Sequence, residues 1–218
     1  MFPRVIIYDA VSLDGRVEGF DADIGRFYEL SRAFGEDAIL AGADTMLAGG
    51  PEVPLDGPEI PKYAVGRKRG PLLAIVDSRG RVRFWDWLRE QEFWGEPVAL
   101  ASVSTPATHL AHLSARRVPY LVAGTDRVDL SAALAWLAAE YGVRTVRVES
   151  GGALNSALLD AGLVSEVSLL VHPAIADGDA LSFVRAPLPD GTRLEATHCE
   201  EVAGGLVWLR YRVLGPSD

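Results

Sequence analysis

Two adjacent glycines, Gly151 and Gly152, lie between a predicted strand over 143–149 and a predicted helix over 153–161. Because glycine has no Cβ atom, a phosphate can approach the backbone amides of such a pair closely. The free N–H groups and the positive dipole end of the following helix favour an anion at the same place. The pair is therefore a candidate pyrophosphate site. A plain tight turn fits the same residues, because the sequence here is not GxGxxG.

The segments around this pair carry patterns typical of alternating strands and helices. The predicted helix over 153–161 repeats apolar residues at helical spacing and is followed by Gly162, a residue type that commonly ends helices. The stretch over 164–175 is an almost unbroken apolar run, as expected for a strand buried on both faces. Further predicted strands cover 4–8, 37–41, 72–76, 97–102 and 118–123, with helices over 24–34, over 129–141, after Gly42 and after Thr105.

The order of these elements predicts an α/β fold of three layers with a mostly parallel central sheet. The last two predicted strands, over 192–202 and 206–214, surround Gly204 and Gly205, which indicates an antiparallel hairpin at the C-terminal end. A chain of 218 residues is long enough for a substantial core in one domain. We therefore expect residues 1–218 to form a single domain.

Composition restricts the possible functions. The net charge of −9 and the pI near 5.0 argue against a nucleic-acid-binding protein, which needs a basic surface. Cys199 is the only cysteine, which excludes an internal disulfide and a multi-cysteine zinc site and favours a reducing cytoplasm. No apolar run is long enough to cross a membrane. His109 and His112 share one short predicted helix with no third ligand in view, so we expect surface histidines and no metal site.

The segment VESGGALNSALLDAGLVSEVSLLVHP resembles the signature of the C-terminal reductase domain of the bifunctional riboflavin-biosynthesis deaminase/reductase, and of its stand-alone archaeal relatives. In that family an acidic residue and paired glycines precede a helix that ends in G-L-V-x-E, and Glu149 with the two glycines matches this pattern. Three further patterns agree with the family: S-L-D-G-R over 12–16, D-A-I-L-x-G-x-x-T-x-L over 37–47 and V-D-S over 76–78. The resemblance covers most of the chain.

The resemblance implies a dihydrofolate-reductase-like fold and hydride transfer from NADPH to a small heterocyclic substrate. The substrate of the family is a pyrimidine ribosylamine phosphate of riboflavin biosynthesis. The resemblance also implies a homodimer, for which the aromatic-rich segment over 84–94 and the terminal hairpin are candidate contact surfaces. Two other functions stay open. Binding of folate analogues would indicate a dihydrofolate or pteridine reductase, and bound cofactor without hydride transfer would indicate a non-catalytic nucleotide-binding protein.

By resemblance, Asp14 and Glu149 lie near the nicotinamide and the substrate, where a carboxylate orients substrate hydroxyls or supports proton delivery. Each also fits a structural role, as a turn-forming aspartate and a strand-end carboxylate. Arg79 beside Ser78 fits a 2′-phosphate and hence NADPH over NADH, because arginine binds phosphate in a bidentate way. An exposed turn arginine fits equally well. The other implied contacts are to the cofactor from Thr45, Ser102, Gly151, Gly152, Ala153 and Leu154, and to the substrate from Tyr8 and Ser12.

Substrate-side positions depart from the family pattern, whereas cofactor-side positions largely agree with it. The lysine or asparagine of the first strand is Tyr8 here, and the acid of an Asp-Pro pair is replaced by Gly50. The arginine that precedes D-A-I-L in the family falls on Ala33, with Arg32 one place away. These departures leave the identity of the substrate open.

A basic cluster ends the loop over 49–70. Because the loop is rich in proline and glycine, we expect no strand or helix in it. The cluster fits a solvated surface or a contact with a substrate phosphate, and its members are Lys62, Arg67, Lys68 and Arg69.

Overall fold

The computed structural model describes residues 2–51, 70–176, 178–185 and 192–214. The predicted basic cluster of Lys62, Arg67, Lys68 and Arg69 lies outside the described residues. The chain divides into two compact units. The first comprises Met1–Pro3 and Asp37–Arg144, and the second comprises Arg4–Glu36 and Thr145–Asp218.

Strands and helices alternate along most of the chain, and a short 3-10 turn over Arg32–Phe34 extends the first helix. In chain order the elements are β1 (Arg4–Ser12), α1 (Ile24–Ser31), β2 (Ala38–Gly42), α2 (Ala43–Gly49), β3 (Leu72–Val76), α3 (Trp85–Glu90), β4 (Pro97–Ala101), α4 (Ala107–Ala115), β5 (Tyr120–Val122), α5 (Leu130–Tyr141), β6 (Thr145–Val148), α6 (Gly152–Asp160), β7 (Glu166–His172), β8 (Arg193–Val202) and β9 (Leu206–Leu214).

In the first unit, four parallel strands stand in the order β5-β4-β3-β2. The apolar runs of β2, β3 and β4 are almost completely buried, as expected for strands covered on both faces. The sequence patterns did not indicate α3, although its Trp85 and Leu88 are fully buried. Trp85 Nε1 also donates a hydrogen bond to Val82 O at 2.9 Å. The aromatic-rich segment therefore mainly fills the core of this unit.

His109 is buried, so the expectation of a surface histidine was wrong for this residue. Its side chain packs against Gly80, where φ is +64° and an added Cβ atom would lie 2.6 Å from the His109 ring. Burial lowers the pKa of His109 and that of His112, which keeps both imidazoles neutral. The described residues contain no group of three or more side chains that could hold a metal ion.

In the second unit, the strand order is β6-β1-β7-β9-β8. Strand β1 runs parallel to β6 and β7, whereas β9 is antiparallel to β7 and β8. Tyr8 of β1 stacks on Phe27 of α1 with ring centroids 4.3 Å apart, and both rings lie in the core of the unit. The terminal hairpin turns at Gly204 and Gly205, whose φ angles of +92° and +75° favour glycine.

The predicted α/β class is confirmed, because both units contain parallel strands and the C-terminal hairpin is antiparallel. The predicted helix after the glycine pair is confirmed as α6, and Gly162 beyond it has a φ of +65°. Strand β1 is longer than predicted and extends to Ser12. Within the described residues, no helix has the length and apolar character needed to span a membrane.

Candidate functional site

The glycine pair opens α6, as the sequence pattern predicts. Gly151 precedes the helix with φ −79° and ψ 172°, and Gly152 is its first residue. A Cβ atom added at Gly152 would lie 2.3 Å from the Ser182 carbonyl oxygen, so the chain's own backbone requires glycine there. A Cβ atom added at Gly151 would meet no atom of the described residues within 4 Å. Close approach of a ligand is therefore compatible with Gly151, whereas internal packing explains Gly152.

Two amide groups at the start of α6 have no acceptor within the described part of the chain. Leu154 N donates to Gly151 O at 3.2 Å, and Asn155 N lies 3.4 Å from the same oxygen. The amides of Gly152 and Ala153 donate to no described residue. Together with the positive end of the helix dipole, these two amides suit an anion. Of the four predicted cradle residues, Leu154 already uses its amide within the turn.

A buried polar cluster adjoins the turn. Asn155, which is fully buried, places Nδ2 at 2.7 Å from Asp9 Oδ2, 2.9 Å from Phe183 O and 3.3 Å from Ser150 O. Burial raises the pKa of Asp9 to about 8, against the opposing effect of the Asn155 hydrogen bond. The sequence reasoning missed both residues, although a lone acid inside the apolar strand β1 was a usable signal for Asp9.

Glu149 follows β6 and is held by two donors. Tyr28 of α1 donates its hydroxyl hydrogen to Glu149 Oε1 at 2.6 Å, and Arg147 Nη1 donates to Oε2 at 2.6 Å. The guanidinium is buried, and its Nε donates to Glu36 Oε1 at 2.8 Å. Burial alone would lower the pKa of Arg147, but the two carboxylates raise it above its usual value. The Glu149 carboxylate is therefore fixed beside a permanent positive charge, just before the glycine turn.

The second predicted catalytic residue, Asp14, lies in the loop after β1. Its Oδ1 accepts hydrogen bonds from the Ser12 hydroxyl at 2.7 Å and from Ala176 N at 3.0 Å. The Ala176 amide, the Ser12 hydroxyl and the charge of Arg16 lower the pKa of Asp14, so the carboxylate is ionised. Ser12, predicted to contact substrate, is itself buried and accepts from Arg16 N at 3.0 Å. In this structure both residues hold the loop in shape.

Tyr8, predicted to contact substrate, is completely buried in the core of the second unit. Its hydroxyl donates to Phe27 O at 2.9 Å, and burial raises its pKa. The side chain has no exposed surface to offer a ligand and its one donor is used. We therefore do not include Tyr8 in the proposed substrate site.

In the first unit, Ser78 and Ser102 follow adjacent strands and are joined by Thr105. The Thr105 hydroxyl donates to Ser78 O at 2.9 Å and accepts from Ser102 N at 3.0 Å. Ser78 Oγ accepts from Val128 N at 3.0 Å. Ser102 is fully buried, with its hydroxyl 3.0 Å from that of Ser104. The structure brings these two predicted cofactor residues together at the carboxyl ends of β3 and β4.

Arg79, next to Ser78, is exposed and makes no ion pair with any described residue. Thr45 lies half-buried in the first turn of α2, which follows β2 at the same sheet edge. The neighbouring Asp44 pairs with Arg81 at 2.6 Å and so ties this turn to the segment after β3. The predicted cofactor residues of the first unit, Thr45, Ser78 and Ser102, thus all follow the carboxyl ends of parallel strands.

The structure shows the surroundings of two positions at which the chain departs from the family pattern, Gly50 and Ala33. A Cβ atom added at Gly50 would lie 2.5 Å from Phe84 Cζ and 2.8 Å from Met46 O, so an acid does not fit there. Ala33 is exposed in the 3-10 turn after α1, beside the exposed Arg32. The space of the missing acid is therefore filled by an aromatic ring.

Parallel strands that alternate with helices define an α/β protein, and the start of α6, where two amides have no acceptor among the described residues, suits an anion. A profile of the RibD C-terminal domain matches residues 3–208, so the chain belongs to the RibD C-terminal domain family. The resemblance found in the sequence is confirmed. The chain is 31% identical over 228 residues to the 2,5-diamino-6-ribosylamino-4(3H)-pyrimidinone 5′-phosphate reductase of Methanothermobacter thermautotrophicus, covering 99% of this chain and 100% of that protein.

Solved structures share the fold at lower sequence identity. A pyrimidine reductase-like protein from Corynebacterium diphtheriae has a TM-score of 0.72 at 21% identity, covering 98% of this chain and 92% of the other. Acinetobacter baumannii RibD has a TM-score of 0.71 at 21% identity, and the match covers 98% of this chain but only 58% of that protein. At these identities the likeness establishes the fold alone.

Proposed function

We propose that this protein is an NADPH-dependent reductase that transfers a hydride to a pyrimidine ribosylamine 5′-phosphate or a closely related compound. The main support is the relative from Methanothermobacter thermautotrophicus, which aligns with nearly the whole chain and is named as a reductase of that substrate class. Membership of the RibD C-terminal domain family supports the same reaction. The proposal assigns the pyrophosphate of a nicotinamide cofactor to the glycine turn of the second unit.

The residues present fit such a cofactor. The amides of Gly152 and Ala153 have no acceptor among the described residues, and the open side of Gly151 permits close approach of a phosphate. Thr45 and Ser78 are the proposed cofactor contacts of the first unit, whereas Ser102 is fully buried, with its hydroxyl bonded to that of Ser104. When bound, a reduced nicotinamide supplies the hydride, while the protein binds, orients and sets the electrostatics.

The proposed role of Glu149 is to orient substrate and to hold the Tyr28 hydroxyl in one position. Its two oxygens are engaged by Tyr28 and Arg147, so the carboxylate has one fixed position. Tyr28 is partly exposed, and partial burial with the nearby negative Glu149 raises its pKa, which keeps the phenol protonated. Because the Tyr28 hydroxyl uses its one hydrogen on Glu149, its oxygen is suited to accept a hydrogen bond from a substrate hydroxyl. Asp14 is proposed to keep the loop after β1 in its shape.

Preference for NADPH over NADH is assigned to Arg79. The guanidinium is exposed and unpaired within the described chain, and it follows Ser78 directly. A planar guanidinium can bind a phosphate through two parallel hydrogen bonds. NADH has no 2′-phosphate, so loss of Arg79 is expected to weaken NADPH binding and to leave NADH binding unchanged.

A cytoplasmic homodimer completes the proposal. Of the two candidate contact surfaces, the terminal hairpin fits better, because nearly all of β8 is exposed while the aromatic segment fills a core. Leu194 of β8 is 47% exposed and offers an apolar side chain to such a contact. Sedimentation of the purified protein and of Leu194→Glu tests this part of the proposal.

The test of function is hydride transfer itself. The purified protein is incubated with 4-deuterated NADPH and the ribosylamine 5′-phosphate, and the product is analysed by mass spectrometry. Incorporation of one deuterium and one exchangeable hydrogen is expected. Dissociation constants for NADPH and NADH are then measured for Arg79→Gln. We expect NADPH binding to weaken about tenfold, or ~1.4 kcal/mol, with no change for NADH.

Arg144→Gln is the matched control, because Arg144 is an exposed arginine of the same unit and no described residue pairs with its side chain. This variant should bind both cofactors like the original protein. Binding of NADPH without deuterium transfer would contradict the proposed reaction. Equal loss of NADPH and NADH binding in Arg79→Gln would contradict the proposed 2′-phosphate contact.

A further inference from the structure

Asp9 is an acid in the middle of a buried strand. It is only 6% exposed, and the residues on either side of it in β1 point into the protein core or are largely buried. A buried carboxylate is costly unless a positive charge or several donors compensate it. Among the described residues, Asp9 has one donor, Asn155 Nδ2, and no cation. This environment favours the neutral carboxylic acid.

The amide of Asn155 gives independent support for a neutral Asp9. Asn155 Oδ1 is buried and has no hydrogen-bond partner within the described part of the chain. An ionised Asp9 can only accept hydrogen bonds, whereas a protonated Asp9 has an O–H to donate. A carboxylic acid and a primary amide can pair through two hydrogen bonds, one in each direction. Protonation of Asp9 therefore supplies the kind of donor that the buried amide oxygen lacks.

The pair is coupled to the glycine turn through Asn155. The same Nδ2 atom that contacts Asp9 Oδ2 lies 3.3 Å from Ser150 O, immediately before the two glycines. It also lies 2.9 Å from Phe183 O, in the segment that closely approaches Gly152. Only the Asn155 side chain would thus separate a negative charge on Asp9 from the start of α6, where the pyrophosphate is proposed to bind.

The elements around Asp9 in this unit carry further ionisable groups. Glu149 carries a negative charge that adds to the effect of burial on Asp9, and Arg147 is neutralised by its carboxylate partners. From α6 the uncharged Asn155 faces Asp9. Besides Arg147 and Glu149, these elements carry Arg4 and Tyr8 on β1, Arg26, Tyr28 and Glu29 on α1, Asp160 on α6, and Glu166 and His172 on β7, and the exposed Arg185 follows Phe183 by two positions.

We propose that Asp9 links cofactor binding to a proton: the glycine turn accepts the pyrophosphate when the Asp9 carboxyl is neutral and repels it when the carboxyl is ionised. This inference rests on the proposed cofactor site. Asp9 acts through Asn155 and through its charge, so it is a positioning residue and not a catalytic one. Ionisation of Asp9 removes the donor from Asn155 and adds a like charge beside the anion.

The expected pH range follows from the burial of Asp9, which raises its pKa to about 8. Below that pH the Asp9 carboxyl is neutral, and the Kd for NADPH should not change with pH. Above it, the Kd for NADPH should rise by up to about tenfold per pH unit, because binding must then take up a proton. The 2′-phosphate of the cofactor titrates near pH 6, so the charge of the cofactor is constant in this range.

The experiment measures the Kd for NADPH from pH 7 to pH 10 by tryptophan-to-nicotinamide energy transfer. Asp9→Asn is the test variant, because asparagine is isosteric with the neutral acid and does not titrate. Asp160→Asn is the matched control, an exposed aspartate at the far end of α6. The original protein and Asp160→Asn should lose affinity above about pH 8, and Asp9→Asn should show a flat profile.

Calorimetry of the original protein supplies a measurement that needs no variant. At pH 8, binding in buffers of different ionisation enthalpy should reveal uptake of about half a proton. Binding with a flat pH profile and no proton uptake would overturn the role of Asp9 and leave the proposed cofactor site intact. A pH-dependent loss of affinity that persists in Asp9→Asn would also overturn it. Absence of NADPH binding at every pH would overturn the proposed function and this inference together.

Discussion

Tyr28 donates its hydroxyl hydrogen to Glu149 at an oxygen–oxygen distance of 2.6 Å, although 121 positions separate the two residues in the chain. Glu149 is also held by Arg147, so three side chains from α1 and the end of β6 form one connected group. The group ends immediately before the glycine turn. The relationship makes Tyr28 a member of the candidate site that no sequence motif identifies.

Replacing Tyr28 with phenylalanine should reduce kcat/KM about three- to tenfold, with little loss of stability. A hydrogen bond to a charged group contributes roughly 1.5–3 kcal/mol, and the partial exposure of Tyr28 reduces this contribution. Arg147 should keep Glu149 in place, so the fold is retained. Steady-state kinetics and thermal unfolding of Tyr28→Phe check the expectation. The control is Tyr211→Phe, which removes the hydroxyl of a half-buried tyrosine in β9 of the same unit. Equal kinetic losses in both variants would speak against a specific role.

Replacing Gly50 with alanine should destabilise the protein, because the added Cβ atom would overlap Phe84 and the Met46 carbonyl oxygen. Overpacking of this kind costs about 1–3 kcal/mol. Gly49→Ala is the control, since a Cβ atom there meets no described atom within 4 Å and the residue is the last of a helix. Urea unfolding should separate the two variants. Gly50→Ala combined with Phe84→Leu should recover part of the loss, and a strictly additive double variant would refute steric overlap.

Local signals predicted most of the fold. Gly162, Gly204 and Gly205 mark the end of α6 and the hairpin turn, and all three have the positive φ angles that only glycine adopts easily. The apolar runs correspond to the buried strands, because parallel strands are covered on both faces. Helix α3 was missed because its aromatic residues are as compatible with a strand or a pocket wall as with a short helix.

The candidate site was less predictable, because its contacts join residues far apart in the chain. Motif matching identified Glu149 and the glycine pair but not Tyr28, whose neighbour Phe27 carries the apolar pattern of α1. It also placed Tyr8 at the substrate, although the residue is wholly buried. Which face of a strand meets the core depends on the other elements packed there, and a motif does not contain that information.

Replacing Asp9 with asparagine should make the folded state more stable at pH 8, with a difference that vanishes near pH 4. The folded pKa is raised from 3.8 to about 8, so the unfolded chain loses its proton first as pH rises. Between these values the stability of the original protein should fall by up to about 1.4 kcal/mol per pH unit, and above pH 8 it should level off. Urea unfolding at several pH values tests this. A difference between the two proteins that is constant with pH would show that Asp9 is ionised when folded.

Alanine substitutions at Gly151 and Gly152 should have different effects, one on cofactor binding and the other on stability. Gly152→Ala should destabilise the protein by about 2–3 kcal/mol, because its Cβ atom would overlap the Ser182 carbonyl oxygen. Gly151→Ala should fold normally, since its φ of −79° suits alanine and no described atom crowds the new methyl group. That methyl group should nevertheless raise the Kd for NADPH about tenfold or more by keeping the pyrophosphate away from the amides. Unfolding curves and NADPH titrations of both variants provide the comparison. Unchanged NADPH affinity in a well-folded Gly151→Ala would place the phosphates elsewhere, and the turn would then serve the fold alone.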